Sequence, residues 1–293
     1  MSTKEQLRIA FFGTPIFATV ILDEMDAGGY TPMLVITQED KARGRHLEVV
    51  PTEVKLWAEQ HDVDVITPRG LVSGDPSLSL LFNSEWDLFV VASYGNILPQ
   101  NILDIPKHGV LNVHPSLLPK LRGASPVRTA ILTDQKDAVG VSIMLLDSEM
   151  DHGPIVAQAR IEPEVWPMGA LLLEELLAHV GGQLLVEAIP PYIVGEIIPE
   201  SQDHSVATYS KKIEKHMGEV ELGGNPMENL RRIKALEGWP CAYFFIKKDG
   251  KPFRVKIIDA DINVDGGALE ILRVIPEGKK EMDYKDFKRS YLS

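Results

Sequence analysis

The chain of 293 residues holds a single cysteine, Cys241. One cysteine cannot form an internal disulfide and cannot build a cysteine-based metal cluster. The first residues lack the basic segment and apolar core of a secretory signal. The most apolar helical stretch, residues 168–189, is interrupted by Glu174 and Glu175, which is typical of a buried helix and not of a membrane span. We therefore expect a cytoplasmic protein that does not contact a membrane.

Positive charge is also scarce, with 30 Lys and Arg against 42 Asp and Glu and a formal net charge of −12. The deficit is uneven along the chain. Residues 201–293 hold 17 basic and 15 acidic residues, whereas residues 1–200 hold 13 and 27. Contacts with phosphate need lysine and arginine, so the C-terminal part is the better candidate for facing a polyanion.

The length predicts two domains, each with its own core. Short apolar runs at residues 7–12, 33–37, 88–92, 110–113 and 141–145 are typical of strands, and helical patterns lie between several of them. This alternation predicts an α/β domain over residues 1–195 with a mostly parallel sheet, whose ligands bind beyond the carboxyl ends of the strands.

The remaining third of the chain has a different pattern. Pro190-Pro191 is expected to end the long helix, and residues 196–206 are expected to form a linker. Residues 207–293 contain short strands, including a hairpin around the turn Lys248-Asp249-Gly250-Lys251, which predicts a smaller β-rich domain.

The turn after the first strand does not match a dinucleotide-binding fingerprint. Gly13-Thr14-Pro15 has one glycine where that motif has three, and Pro15 removes a backbone donor. Cysteine pairs and His-x-x-x-His spacings are absent from the sequence, so no metal site is predicted.

The most informative segment reads Asn-Val-His-Pro-Ser-Leu-Leu-Pro at residues 112–119. Asn112 and His114 are two residues apart at the end of a predicted strand, so their side chains should lie on one face. The prolines that follow force the chain out of the sheet into a loop of restricted conformation. An amide and an imidazole are thereby expected to converge at a strand end.

This segment resembles the signature of the folate-dependent formyltransferases. Residues 12–18 (Phe-Gly-Thr-Pro-Ile-Phe-Ala), 42–47 (Ala-Arg-Gly-Arg-His-Leu) and 276–282 (Pro-Glu-Gly-Lys-Lys-Glu-Met) are similar to the methionyl-tRNA formyltransferases in particular. The resemblance implies a Rossmann-like formyltransferase domain and a C-terminal OB-like domain that binds tRNA. It also implies 10-formyltetrahydrofolate as donor, without a metal, and methionyl initiator tRNA as acceptor. A monomer is expected.

Formyl transfer passes through a tetrahedral oxyanion, which needs a hydrogen-bond donor and a group that manages protons. Asn112 is the candidate donor and His114 the candidate proton-transfer group. Asp151 is the candidate partner that holds His114 in its useful tautomer or favours its charged form. The family usually has Leu-Asp-Thr-Gly where this chain has Met-Asp-His-Gly. Asp147, one helical turn earlier, is therefore a rival to Asp151 for this role. The additional imidazole of His152 is expected to be exposed.

The resemblance implies further binding residues. The folate site would be lined by Ser116, Leu117, Leu118 and Pro119, with Tyr94, Gly95, Asn96 and Ile97 as a second wall. Arg43 and Arg45 are candidate tRNA phosphate contacts, or a solvated charged loop. Arg122 either contacts an anionic part of a substrate or braces the loop.

The main rival function is nucleotide-sugar N-formyltransfer from the same donor, which the acidic balance favours. Formyl transfer to methionyl-tRNA is favoured by the basic segment around Arg43 and Arg45 and by residues 276–282. A formyl-folate hydrolase and a non-catalytic folate- or RNA-binding module are further alternatives. The second of these would be expected to have lost part of the Asn112, His114 and Asp151 set, which is complete.

Overall fold

The computed structural model describes residues 7–43, 48–72, 74–263 and 267–292. The chain divides into two compact units that alternate along the sequence. The first comprises residues 1–122, 140–161 and 174–208, and the second residues 123–139, 162–173 and 209–293. The expected domains 1–195 and 207–293, joined by a linker at 196–206, stay a prediction.

The strands are as follows. They are β1 (Ile9–Gly13), β2 (Leu34–Ile36), β3 (Lys41–Arg43), β4 (Glu48–Val50), β5 (Asp64–Ile66), β6 (Leu88–Ala92), β7 (Val110–His114), β8 (Arg122–Gly123), β9 (Gly140–Leu145), β10 (Ile155–Arg160), β11 (Tyr209–Ser210), β12 (Ala242–Lys248), β13 (Lys251–Ile262), β14 (Leu269–Pro276) and β15 (Met282–Asp283). The α-helices are α1 (Ile16–Ala27), α2 (Glu53–Gln60), α3 (Ser79–Phe82), α4 (Gln100–Leu103), α5 (Pro126–Leu132), α6 (Ala170–Ile193), α7 (Pro226–Ala235) and α8 (Tyr284–Tyr291).

The first unit is built on a seven-stranded sheet in the order β10-β9-β7-β6-β1-β2-β5. Strands β1, β2, β5, β6 and β7 pair in parallel, and β9 and β10 are antiparallel additions at one edge. Every residue of β1, β6 and β7 is buried, as expected for parallel strands that are covered on both faces. The predicted mostly parallel α/β sheet is confirmed.

The register of the central strands determines where loops meet. Gly13 pairs with Ala92, and Val91 pairs with Asn112, so the carboxyl ends of β1, β6 and β7 lie side by side. The turn after β1 and the loops after β6 and β7 therefore open at the same edge of the sheet, where ligands bind in open α/β sheets.

Helix α6 contradicts one sequence expectation, because it continues through Pro190 and Pro191 to Ile193. The two prolines fall in its last turns, where only two donors are lost. The carbonyl of Pro190 still accepts from Val194 N at 3.3 Å. Gly181 explains how closely the helix packs, since a Cβ there would lie 2.7 Å from Val113 Cγ1 on β7. Among the described helices, none combines the length and apolarity needed to span a bilayer.

The second unit contains a four-stranded antiparallel sheet in the order β12-β13-β14-β15. The predicted hairpin is confirmed: β12 and β13 are joined at Asp249-Gly250, both with positive φ, as a tight hairpin turn requires. Phe244, Val255 and Phe287 lie in its buried core. The C-terminal part is thus β-rich, as the sequence pattern indicates.

Candidate active site

Strand β7 carries two of the three predicted catalytic residues. Asn112 and His114 lie two residues apart and are 8% and 4% exposed. The Nδ1 atom of His114 lies 3.6 Å from Asp151 Oδ1, which is an ion-pair distance longer than a hydrogen bond. Such contacts often shorten only when substrate binds. The structure therefore brings Asp151 to His114, as expected from the sequence.

The second ring nitrogen of His114 is held by the backbone. Its Nε2 lies 3.1 Å from the carbonyl oxygen of Leu121. A carbonyl only accepts, so Nε2 carries the proton and Nδ1 is the nitrogen that faces Asp151. Leu121 has a φ of +57°, a conformation uncommon for residues other than glycine. The ring of the histidine is thereby anchored by a backbone carbonyl at Nε2, and its Nδ1 faces a carboxylate.

Asp151 lies in the loop between β9 and β10, in a tightly constrained backbone. Its φ is +49°. Two residues on, a Cβ at Gly153 would lie 2.0 Å from the carbonyl oxygen of Leu145, so a glycine is required there. The Asp-x-Gly pattern thus has a steric basis: the glycine allows the loop to pack against the end of β9.

The rival carboxylate, Asp147, has a different partner. Its Oδ2 lies 2.7 Å from Nδ1 of His152, whose ring stacks on that of His204 with centroids 4.0 Å apart. The expectation that His152 is exposed was wrong, because Asp147 and His204 leave its side chain only 30% exposed.

The loop of residues 116–119 is held by side chains that the sequence reading did not single out. Ser142 Oγ donates to the carbonyl of Ser116 at 2.6 Å and accepts from Leu118 N at 3.0 Å. Gln158 Nε2 donates to Ser142 Oγ and to the carbonyl of Leu118. Ser116 and Leu118 are buried, whereas Leu117 and Pro119 are half-buried. A polar residue inside a buried apolar strand was the available signal for Ser142.

The second predicted wall is more open. Tyr94 is buried against Phe12, and burial raises the pKa of its hydroxyl. Its carbonyl accepts from Gln38 Nε2 at 2.9 Å. Gly95 has a φ of +84°, and Gly95, Asn96 and Ile97 are exposed, with Ile97 81% accessible. The two predicted walls therefore differ. Residues 116–119 are held by side-chain hydrogen bonds, whereas residues 94–97 present the exposed apolar side chain of Ile97.

Comparison with known proteins identifies the family. Residues 7–189 match the model of the formyl transferase family. The chain is 37% identical to the methionyl-tRNA formyltransferase of Chloroflexus aurantiacus, over 94% of each protein. It is 35% identical to that of Thermus thermophilus, over 97% of this chain and 96% of the relative. This chain belongs to the methionyl-tRNA formyltransferase family.

Solved structures share the fold of this formyltransferase at low identity. A sugar N-formyltransferase from a Shewanella species aligns with a TM-score of 0.62 and 16% identity, over 88% of this chain and 100% of its own. HypX from Aquifex aeolicus, in complex with tetrahydrofolic acid, aligns with a TM-score of 0.65 and 14% identity, over 99% of this chain and 48% of its own. A Helicobacter canadensis N-formyltransferase, in complex with folinic acid and dTDP-3-aminofucose, aligns with a TM-score of 0.63 and 18% identity, over 89% and 90%.

One of the two predicted tRNA-contacting arginines of this formyltransferase lies in a short hairpin. Arg43 ends β3, which pairs with β4 in an antiparallel arrangement. The hairpin precedes α2, whereas the sequence suggested a loop there. Arg45 lies outside the described residues. The role of both arginines stays a prediction.

Arg122 is fixed by protein groups. It is 2% exposed, and its guanidinium donates to Gln202 Oε1 from Nε at 3.1 Å and from Nη2 at 2.6 Å. Nη2 also lies 2.8 Å from Nδ1 of His204. Of its two alternatives, bracing the loop fits this burial. Gln202, in a segment expected to be a linker, is a site residue that the sequence reading missed, because nothing local marks a glutamine for burial.

Proposed function

We propose that this formyltransferase transfers the formyl group of 10-formyltetrahydrofolate to the α-amino group of methionine on initiator tRNA, for translation initiation. The observation that carries the proposal is the pairing of His114 with Asp151 beside Asn112. It occurs in a chain that is 34–37% identical over nearly its whole length to methionyl-tRNA formyltransferases.

The reaction joins two nitrogens through one carbon. The neutral amine of methionine attacks the formyl carbon, and the carbonyl oxygen becomes an oxyanion. The bond from that carbon to N10 of the folate then breaks, N10 takes a proton, and the amine loses one. The products are formyl-methionyl-tRNA and tetrahydrofolate. The protein must stabilise the oxyanion and move one proton.

Asn112 is suited to the oxyanion. Among the residues that the structure describes, none hydrogen-bonds its side-chain amide, although the residue is only 8% exposed. A nearly buried amide whose N–H groups have no protein acceptor can donate to a developing negative charge in a site from which water is largely excluded. Asn112 is therefore the proposed donor to the oxyanion.

His114 is suited to the proton. Its Nε2 proton is held by the carbonyl of Leu121, so Nδ1 is the atom that takes the proton of the attacking amine and returns it to N10. While both nitrogens carry protons, the carboxylate of Asp151 at 3.6 Å stabilises the positive ring. The pairing supports a proton shuttle through a single nitrogen.

A folate-derived donor fits the edge of the sheet. The half-buried Leu117 and Pro119 and the exposed Ile97 offer apolar surface, and the loops that carry them present backbone polar groups. A flat pterin needs this combination. Two proteins of the same fold hold tetrahydrofolic acid and folinic acid. We assign Ser116–Pro119 and Tyr94–Ile97 as the two walls of the folate site.

The second unit offers a surface for the tRNA. Side chains alternate along paired β12 and β13, so Phe244 points into the core and Phe245 points outward. Phe245 is 48% exposed and pairs with Arg254, whose guanidinium lies 5.6 Å from the ring centroid of Tyr243. Exposed aromatics interleaved with cations are typical of surfaces that contact nucleic acid. We assign a tRNA contact to this outward face, and we keep Arg43 and Arg45 of the first unit as separate candidate phosphate contacts.

A nucleotide-sugar acceptor is the second candidate, favoured by the fold shared with a sugar N-formyltransferase and with an N-formyltransferase in complex with dTDP-3-aminofucose. That likeness is at 16–18% identity, well below the 34–37% of the methionyl-tRNA formyltransferases.

The test is formyl transfer from 10-formyltetrahydrofolate to methionyl initiator tRNA, run beside a panel of amino-sugar nucleotides. We expect formylation of the charged tRNA only. Transfer to a sugar nucleotide alone would overturn the acceptor and leave the roles of Asn112, His114 and Asp151 in place. No transfer to either acceptor would overturn the proposed reaction.

A further inference from the structure

Residues 200–208, called here the clasp, come after helix α6 and belong to the first unit. Glu200 and Ile155 exchange two backbone hydrogen bonds of 2.8 Å, which pair the start of the clasp with the start of β10. Gln202 is 5% exposed. Sequence alone suggests a linker here, but the segment is hydrogen-bonded to both loops that surround His114.

Gln202 uses its whole hydrogen-bonding capacity to join the Asp151 loop to Arg122. Its Nε2 donates to the carbonyl of Asp151 at 2.9 Å and to that of Gly153 at 2.7 Å. Its Oε1 accepts the two bonds from Arg122. A side-chain amide has two donors and two acceptor sites, so every one is used. Both acceptor carbonyls lie in the turn that carries the carboxylate facing His114.

The two hydrogen bonds from Gln202 matter because the backbone of the Asp151 loop is strained. Asp151 has a φ of +49°, and such a conformation persists only where neighbouring groups hold it. The two bonds from Gln202 hold the carbonyls of Asp151 and Gly153 in place. The buried guanidinium of Arg122 in turn orients the amide, because it can bond only the oxygen of Gln202 and not its nitrogen.

The other end of the clasp holds the opposite side of His114. Thr208 Oγ1 accepts from Leu121 N at 2.9 Å, and the carbonyl of Thr208 accepts from Arg122 N at 2.9 Å. Leu121, with its positive φ, supplies the carbonyl that takes the Nε2 proton of His114. One short segment therefore contacts the supports of both nitrogens of the histidine.

We propose that Gln202 is a positioning residue that holds Asp151 against His114, with Thr208 as a weaker positioning residue that acts through Leu121. The clasp is then part of the catalytic centre and not a passive connection. This inference rests on the roles proposed above for His114 and Asp151.

The sharpest variant is Gln202→Glu. A carboxylate keeps the acceptors for Arg122, so the buried guanidinium stays paired, but it loses both donors to the carbonyls of Asp151 and Gly153. We expect kcat to fall by about 100-fold, the cost of a misplaced catalytic group, with KM for both substrates unchanged within about twofold. The exposed Gln100, hydrogen-bonded to Asp104, gives the matched control Gln100→Glu, which should leave kcat unchanged.

A double-mutant cycle with Asp151→Asn decides whether Gln202 acts through Asp151. We expect the double variant to be no slower than Asp151→Asn alone. Effects that multiply would overturn the inference, as would full turnover in Gln202→Glu while Asp151→Asn is impaired. Full turnover in Asp151→Asn would instead identify the proposed mechanism as the failed premise.

Thr208→Val keeps the test valid if Gln202→Glu does not fold. Loss of the Thr208 acceptor should lower kcat by about fivefold, close to the value of one hydrogen bond, with KM unchanged. Thr208→Ser restores the oxygen and should restore kcat. A valine variant with full turnover, or a serine variant that rescues nothing, would overturn the role of this end of the clasp.

Discussion

The two units bury polar side chains very differently. Six of the ten buried polar or charged residues in the described part of the chain surround one point of the first unit. They are Asn112, His114, Ser116, Arg122, Ser142 and Gln202. The second unit buries Ser210 and Asn229, and its core is otherwise built from aromatic and aliphatic side chains.

Burying a polar group costs free energy unless the group is hydrogen-bonded, so a fold does not concentrate such groups without a compensating network. Around His114 that network is present, and it fixes geometry. In the second unit several cations are exposed at the sheet surface, some of them near aromatic rings, as with Lys248 Nζ at 5.0 Å from the ring centroid of Phe253. The contrast fits the functions proposed for the two units: chemistry that needs fixed positions in the first, and recognition that tolerates solvent in the second.

Removing the centre of the polar network should give the largest effect. His114→Ala deletes the proposed proton carrier, so we expect kcat to fall by about 100- to 10,000-fold, with folate binding nearly intact. Steady-state formylation and equilibrium folate binding measure the two quantities. His179→Ala, which removes a half-exposed imidazole paired with Glu24, is the matched control. Turnover at the parent level in His114→Ala would exclude this residue from the mechanism.

Displacing the Asp151 loop should come next. A Cβ in Gly153→Ala would clash with the carbonyl of Leu145, so the loop must shift and carry Asp151 from His114. We expect a fall in kcat of about 100-fold, as for other small misplacements of catalytic groups. Gly70→Ala, where a Cβ makes only an ordinary contact with Val72, should be neutral. Equal activity of the two variants would show that the loop does not position the carboxylate.

Loosening the folate wall should have a more moderate effect on a different parameter. Ser142→Ala removes the oxygen that holds Ser116 and Leu118, and leaves a backbone carbonyl and an amide without that partner. We expect KM for the folate donor to rise by about 10-fold, equivalent to one poorly satisfied buried group. A fall in kcat with KM unchanged would place the loop in the chemistry and not in folate binding.

A change on the second unit should have the smallest effect and the strongest dependence on salt. Arg254→Ala removes one exposed cation from the proposed tRNA surface, so we expect KM for tRNA to rise a few-fold and the slope of log K against log salt to fall by about one. Arg289→Ala, on α8 at the Phe244 side of the sheet, is the control. An equal change in both variants would contradict the assigned face.

The sequence predicted the fold well where local pattern carries the information. The apolar runs of β1 and β6, the apolar start of β7 and the Asp249-Gly250 turn specify buried strands and a hairpin by themselves. The sequence-based prediction failed at Pro190 and Pro191, through which α6 continues to Ile193. Each proline removes one backbone N–H donor, and the last turns of a helix tolerate the loss of two such donors. The side-chain period of two brought Asn112 and His114 to one face, and the resemblance to a family singled out Asp151.

What the sequence by itself determined was the mostly parallel main sheet, the position of Asn112 and His114 at the end of one strand, and the family. Only the tertiary structure decided that Leu121 holds one nitrogen of His114, that Asp147 pairs with His152, and that Gln202 reaches the Asp151 loop. The reason is separation: Gln202 accepts from Arg122 across 80 residues and donates to Asp151 across 51. Local propensity carries no information about such contacts, because they exist only once the sheet has brought its loops to one edge.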